Sequence, residues 1–379
     1  MKKIMFLTGT RADFGHQKPL IDKCIEEGYD VSIFVTGMHM DEKYGKTIDE
    51  ILLFDYKKYC ACNNSKNFST MDEMLASTIF NFSNYTKKVS PDLIVVFADR
   101  FEALAAAIVG ALNNILTVHI QAGDTSGTID DSMRHAISKL CHAHFVANDD
   151  AKKRLMLMGE IEEKIFKIGT PGLDILFSKK LPSLKNVRKK YSIKFNQYSI
   201  LIFHPVTTEV ESLSGQIDMV ADCVIESGLN YIVVLPNNDL GSDKIFSAYD
   251  RFRDIDNIKV FPSIDHYDFL ILLKNARFII GNSSCGIIEA PIYGLPVINI
   301  GSRQQGRTSN KRIIDCEFDK KDVLKIIKSL NCIKYNPDYS FGDGHAADKF
   351  IEELRKEKLW TTNKQKKFNL CISNSLKLS

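Results

Sequence analysis

The run Gly281-Asn282-Ser283-Ser284-Cys285-Gly286-Ile287-Ile288-Glu289-Ala290-Pro291 carries the residue types of an anion seat. It follows an apolar segment, residues 276–280, and opens a segment of helical character. At such a strand-to-helix turn, backbone N–H groups and the positive end of the helix face an anion. The hydroxyls of Ser283 and Ser284 can add donors. Glu289 lies about a turn and a half further on, where a carboxylate can accept hydrogen bonds from ribose hydroxyls. Together these residues suit a nucleotide diphosphate. A simpler reading stays open, in which Asn282 and the serines cap a helix.

Other reactive side chains gather where apolar segments end. Thr8-Gly9-Thr10-Arg11-Ala12-Asp13-Phe14-Gly15 follows the first of them. Its glycines permit a tight turn, and Arg11 can grip a phosphate through two N–H groups. No Gly-Lys-Ser/Thr follows, so it is not a Walker loop, and it lacks the three-glycine dinucleotide pattern. A plain structural turn is the alternative. Asp99-Arg100 closes the segment 93–97, and Gln121-Ala122-Gly123-Asp124 closes the next. Then comes Ser126-Gly127-Thr128-Ile129-Asp130-Asp131-Ser132-Met133-Arg134-His135. Asp130 and Asp131 stand at a helix start, where the macrodipole alone favours carboxylates. The functional reading gathers Asp99, Asp124, Asp131 and Arg134 around one cleft, able to move protons.

In the second half, His204 within Phe203-His204-Pro205-Val206-Thr207-Thr208-Glu209 is a candidate acid or phosphate donor. Pro236-Asn237-Asn238-Asp239 can bind sugar or ribose hydroxyls through Asn237. Gly301-Ser302-Arg303-Gln304-Gln305-Gly306-Arg307 brings Arg303 and Arg307 toward the diphosphate. His142 and His144 have the look of a metal pair, but a structural role on a strand is the better reading. No other set of residues has metal-ligand spacing.

The elements that must hold these groups alternate. Apolar runs of strand length recur at 4–7, 31–35, 93–97, 116–120, 144–147 and 165–168, with helical patterns such as 100–112 and 131–141 between them. Continuous apolar strands separated by helices indicate a parallel sheet covered on both faces. The pattern restarts at 200–203, 231–235, 258–261, 278–280 and 297–300. The charged segment 177–197, with Pro182, reads as the connection. The expected fold is α/β, with two doubly wound Rossmann-like domains facing a cleft and ligands beyond the strand carboxyl ends. The expected N-terminal domain covers 1–180, the sugar and catalytic side. The expected C-terminal domain covers 181–360, the nucleotide side, and 361–379 is a polar tail that lies on the surface or frays.

Composition narrows the class. A chain of 379 residues suits two domains. A net charge of +3 from 50 basic and 47 acidic residues argues against a general nucleic-acid or membrane-surface binder. No apolar run nears the ~20 residues of a membrane span. The apolar run after Met1-Lys2-Lys3 stops after four residues, too short for a signal peptide. Nine scattered cysteines, an odd count, fit reduced thiols and a cytoplasmic location.

The motifs, in order, resemble those of the hydrolysing UDP-N-acetylglucosamine 2-epimerases of sialic acid biosynthesis, the bacterial NeuC type. The chain also looks like the epimerase half of the human bifunctional epimerase/kinase. The matching pieces are Thr8 to Gly15, Thr36-Gly37-Met38-His39-Met40, Asp99-Arg100-Phe101-Glu102-Ala103-Leu104, Ser126 to Leu140, Phe203 to Glu209, Pro236 to Asp239, Gly281 to Gly286 and Gly301 to Arg307. They cover about residues 4–310.

The resemblance implies a glycosyltransferase-B-like fold. It also implies no metal, no added redox cofactor and, in a chain that leaves no room for it, no kinase activity. It implies elimination of UDP from UDP-N-acetylglucosamine across C1 and C2, then hydration to N-acetylmannosamine. On it, Asp99 and Asp131 transfer protons and His204 and Arg11 stabilise the diphosphate. Ser283, Ser284 and Glu289 hold UDP, Arg134 and Gln121 orient the sugar, and Asn237 and Arg303 complete the binding set. The implied partner is a nucleotide sugar, with self-association into a dimer or tetramer.

Two residues depart from the family pattern. Relatives commonly have Glu-Gly-Gly-Glu where this chain has Gln121-Ala122-Gly123-Asp124, and the first glutamate is taken there as an acid/base. Gln121 cannot exchange a proton, so Asp124 is the candidate replacement. A lysine frequent five residues after Arg11 is here His16. The first departure keeps open a bacillosamine-type sugar on a UDP or GDP carrier. A glycosyltransferase of the same fold and a non-catalytic nucleotide-sugar binder are the remaining alternatives.

Overall fold

The computed structural model describes residues 1–379 apart from 43–45, 55, 65–69, 127–128, 178–180, 237–239, 309, 311, 331–332, 368 and 370–379. The chain divides into two compact units. One comprises Met1–Asp124, Ile129–Phe177 and Ser340–Ser379, the other Thr125–Thr128 and Ser178–Tyr339.

The first unit holds seven strands: β1 (Lys3–Thr8), β2 (Asp30–Val35), β3 (Tyr59–Ala61), β4 (Leu93–Phe97), β5 (Leu116–Ile120), β6 (Ala143–Val146) and β7 (Ile165–Lys167). They pair in parallel in the order β3-β2-β1-β4-β5-β6-β7. Every residue of β4 and β5 is buried. That is why these strands read as unbroken apolar runs: helices cover both faces, so neither face needs polar residues. The edge strand β3 carries exposed positions and was not among the expected strands. The strand order reverses between β1 and β4, so a crevice opens beyond their carboxyl ends, where doubly wound sheets hold ligands.

The second unit holds β8 (Ser199–Ile202), β9 (Tyr231–Val234), β10 (Ile258–Phe261), β11 (Ile279–Gly281), β12 (Val297–Ile300) and β13 (Ile313–Cys316). Their parallel order is β10-β9-β8-β11-β12-β13, with the reversal between β8 and β11. β13 is another edge strand absent from the expectation, and it too is only partly buried. Gly281 ends β11 at φ 131°, and a Cβ there would lie 1.9 Å from the Ile202 carbonyl oxygen. Only glycine lets the chain leave β11 this close to β8.

The expected second domain is corrected at its C-terminal end. Residues 340–360, assigned to it from sequence, return to the first unit. The Asp174 carboxylate accepts from the Ala346 and Ala347 N–H groups at 2.9 and 2.7 Å, capping the helix Ala346–Leu354. Phe350, Leu354 and Leu359 then join the first unit's core with Phe145, Phe97 and Ile120. Part of the expected polar tail is also fixed. The Lys366 ammonium donates to the Ser138 carbonyl at 3.0 Å and to the buried Glu160 carboxylate at 2.7 Å, and the Asn369 N–H donates to the Gly159 carbonyl at 3.1 Å. Among the described residues, no helix is long and apolar enough to cross a membrane.

Candidate active site

Beyond β4 the chain turns through Ala98, at φ 57°, and presents Asp99. The helix Asp130–Leu140 buries Arg134, Ile137 and Ser138 along one face. From that face the Arg134 guanidinium donates to the Asp99 carboxylate and, at 3.1 Å, to Asp131. Arg134 is 4% exposed, whereas Asp99 and Asp131 keep 21% and 30%. One buried cation thus holds two carboxylates that stay partly exposed. Removing Arg134 would leave two like charges together without their shared counter-charge. Of the four expected members of this cluster, the structure joins Asp99, Asp131 and Arg134.

The fourth, Asp124, lies in the turn after β5. The Gln121 amide, at φ 60°, donates to the Asp124 carboxylate at 3.2 Å, and both residues are buried. The turn is tight because Gly123 sits at φ 74°, where a Cβ would meet the Ala151 carbonyl oxygen at 2.5 Å. The amide thus gives the buried Asp124 carboxylate a hydrogen-bond donor.

Arg11 opens the helix Arg11–Glu26, but its guanidinium forms a two-pronged ion pair with Glu50. Any hold on a phosphate has to compete with that carboxylate. His16 stacks on Phe97 with ring centroids 5.3 Å apart and packs against Gly172. The sequence reading passed over Asp13. Burial pushes its carboxyl up to about 6, against the nearby Arg100 charge and helped by Glu102. A carboxyl titrating there is matched to acid–base work near neutrality. Its only sequence signal is its place in the turn after β1, and its N–H bond to the Thr10 hydroxyl marks it equally as a capping-turn residue.

In the second unit, the two loops at the sheet's reversal are tied together. The Asn282 side chain accepts from the His204 N–H at 2.7 Å and donates to the His204 carbonyl at 2.8 Å. Asn282 is thus a brace between the ends of β8 and β11 and not a helix cap. Ser284 makes no capping bond either, and the Ser283 hydroxyl oxygen contacts the Cys285 thiol at 3.2 Å. Both serines remain partly exposed. The helix they open is short: Cys285–Ile288 makes one turn, followed by the 3-10 turn Ala290–Tyr293. An anion placed at this turn would meet local N–H groups and hydroxyls more than a long macrodipole.

Arg303, from the loop after β12, donates to the Asn282 carbonyl at 3.0 Å and so stands beside the same turn. Burial, then the Arg303 charge, lowers His204 to about 3, so its ring is neutral near pH 7. Burial pushes Glu289 up to about 7, against the charge of Arg307. Asn237 lies outside the described residues.

His142 and His144 are occupied structurally. The His142 Nδ1 accepts from the Thr117 N–H at 3.0 Å, and the His144 Nε2 lies 2.8 Å from the Glu160 carboxylate. Among the described residues, no group of three His, Cys, Asp or Glu side chains is placed to hold a metal ion.

Two parallel sheets alternating with helices, each with polar groups beyond its strand carboxyl ends, define a doubly wound α/β protein. Residues 23–355 match the family model described as UDP-N-acetylglucosamine 2-epimerase. A Neisseria meningitidis serogroup B protein, UDP-N-acetylglucosamine 2-epimerase, is 40% identical over 374 residues, 97% of this chain and 99% of its own length. A Legionella pneumophila protein, UDP-N,N'-diacetylbacillosamine 2-epimerase (hydrolyzing), is 35% identical over 94% of this chain and 96% of its own. A crystal structure of a Neisseria meningitidis UDP-GlcNAc 2-epimerase bound to UDP-GlcNAc shares the fold. Its TM-score is 0.80 at 19% identity, over 93% of this chain and 99% of that one. The chain belongs to the UDP-N-acetylglucosamine 2-epimerase family.

Proposed function

We propose that this family member is a hydrolysing enzyme that converts UDP-N-acetylglucosamine and water to N-acetylmannosamine and UDP. A carboxylate takes the proton from C2, the C1–O bond to the diphosphate breaks, and a C1=C2 double bond forms as UDP leaves. Water then adds, its hydroxyl to C1 and a proton to C2 on the opposite face. The single observation that carries this reading is the pair Asp99 and Asp131 held by one buried guanidinium. Two partly exposed carboxylates fixed together suit a reaction that removes a proton and returns one.

In this reading, Ser283, Ser284 and Arg303 receive the diphosphate, and neutral His204 donates to it. As charge builds on the leaving diphosphate, such preplaced donors stabilise it most. Glu289 accepts from the ribose hydroxyls, while Arg134 and Gln121 orient the sugar. Asp124, Arg11 and Asn237 are assigned as additional proton-transfer, diphosphate and ribose or sugar groups. The product suits a sialic acid route, and the protein acts as a cytoplasmic homo-oligomer, a dimer or tetramer, without metal or redox cofactor.

A second reading keeps the reaction and changes the sugar to N,N'-diacetylbacillosamine on UDP or GDP. The neutral Gln121 amide beside Asp124 favours it, as does the likeness to the Legionella relative. Incubation with each nucleotide sugar, assayed for free nucleotide and free sugar, tests both. Free UDP and N-acetylmannosamine without an acceptor support the first. Turnover only with an acceptor points to a glycosyltransferase, and tight UDP binding without turnover points to a binder.

A further inference from the structure

Asp99 leaves β4 through Ala98, a residue with a side chain held in the left-handed region at φ 57°. Such a backbone persists only where its surroundings hold it. Two bonds do so. The Ala98 N–H donates to the Ile120 carbonyl at 3.0 Å, and the Ala98 carbonyl oxygen lies 2.7 Å from the Nε2 of His119. A carbonyl only accepts, so Nε2 carries the proton. Nδ1 is then an acceptor, and the Ser138 hydroxyl, 2.9 Å away, donates to it. His119 and Ser138 are both fully buried. Ser138 sits one turn after Arg134 on the same helix, and Arg134 grips Asp99. The contacts close a ring: Asp99 and Ala98, His119, Ser138, Arg134, and back to Asp99.

We infer that His119 is a positioning residue, whose imidazole, fixed in one tautomer, holds the Ala98 turn and so aims Asp99 at Arg134. The inference rests on the reading of Asp99 as a proton-transfer group. It adds a residue that touches no substrate, placed mid-strand where its type alone suggests only a satisfied core histidine. Burial lowers His119 to about 3, so the ring stays neutral and its two roles do not exchange near pH 7.

His119→Gln keeps an N–H donor at the reach of Nε2. His119→Asn places its amide at the reach of Nδ1, keeping the Ser138 side and losing the Ala98 bond. With the nucleotide sugar that the wild-type protein turns over, His119→Asn should lose kcat by the order of 10²-fold, as a reacting group displaced by about 1 Å does. KM and UDP affinity should hold, and His119→Gln should recover most of the loss at a similar melting temperature. Ser138→Ala removes the donor that fixes the tautomer and should lower kcat with little change in melting temperature. This variant reads the ring even if the His119 variants fail to fold. Equal losses of kcat in the Gln and Asn variants, tracking melting temperature, overturn the inference. So does an unchanged kcat in His119→Asn or Ser138→Ala. Asp99→Asn is the control. Full turnover there defeats the proton-transfer reading, and the positioning role with it. Loss of turnover there, with His119→Asn fully active, defeats the positioning role alone.

Discussion

Replacing Glu289 with glutamine should make the protein more stable and a poorer binder of UDP. Burial moves this carboxyl from 4.5 to about 7. Below the unfolded value the group is neutral in both states and carries no penalty. As pH rises from 4.5 to about 7, the unfolded chain ionises first and folding becomes less favourable. The penalty reaches about 3 kcal/mol at pH 7 and above, at roughly 1.4 kcal/mol per tenfold change in ionisation. Glu289→Gln abolishes ionisation, so urea unfolding at pH 8 should show a gain approaching that figure. The gain should vanish near pH 4. Ribose hydroxyls, as donors, favour the charged carboxylate. Wild-type UDP affinity should therefore rise as pH climbs through 7, and the variant should lose both that rise and about 1–3 kcal/mol of binding. Calorimetry with UDP at pH 6 and pH 8 reads the second effect. A variant less stable than wild type at pH 8, or one that binds UDP unchanged, refutes the assignment.

Asp131→Asn should lower kcat by roughly 10²–10⁴, the range of general acid–base catalysis, with UDP affinity retained; near-normal turnover contradicts the role. Gln121→Glu, assayed with UDP-N-acetylglucosamine and with the bacillosamine conjugates, should raise the rate on the first sugar if the amide is a handicap there. A fall in that rate, with preference for the conjugates in the wild type, selects the second reading. At Glu160, burial alone would raise the carboxyl, but the His144 N–H and the charge of Lys366 hold it at about 2. Its contribution to stability is present above 4.5 and lost as pH falls toward 2. Glu160→Gln should cost about 1–3 kcal/mol at neutral pH and flatten the acid unfolding curve, and an unchanged curve counts against the network.

The fold was legible because parallel strands covered on both faces leave continuous apolar runs, as in β4 and β5. The edge strands β3 and β13 escaped because each is only partly buried, so neither leaves an unbroken apolar run. Within the candidate site, chemistry and place in the chain suggested Asp99, Asp131 and Arg134. The structure supplied the geometry that joins them. Partnerships over long separations left no local trace. Arg11 meets Glu50 39 residues away, and Asn282 braces His204 across 78. The return of residues 340–360 to the first unit was hidden for the same reason, since the Asp174 cap reaches across 172 residues. His119 was invisible because a buried histidine inside a strand has no pattern that separates packing from positioning.

The proposed chemistry is tested most directly by turnover of UDP-N-acetylglucosamine in deuterated water, followed by NMR of the free sugar. Elimination and hydration require the C2 hydrogen to leave and a solvent proton to return. The account predicts free UDP and N-acetylmannosamine with deuterium at C2. N-acetylmannosamine that retains the original C2 hydrogen contradicts it.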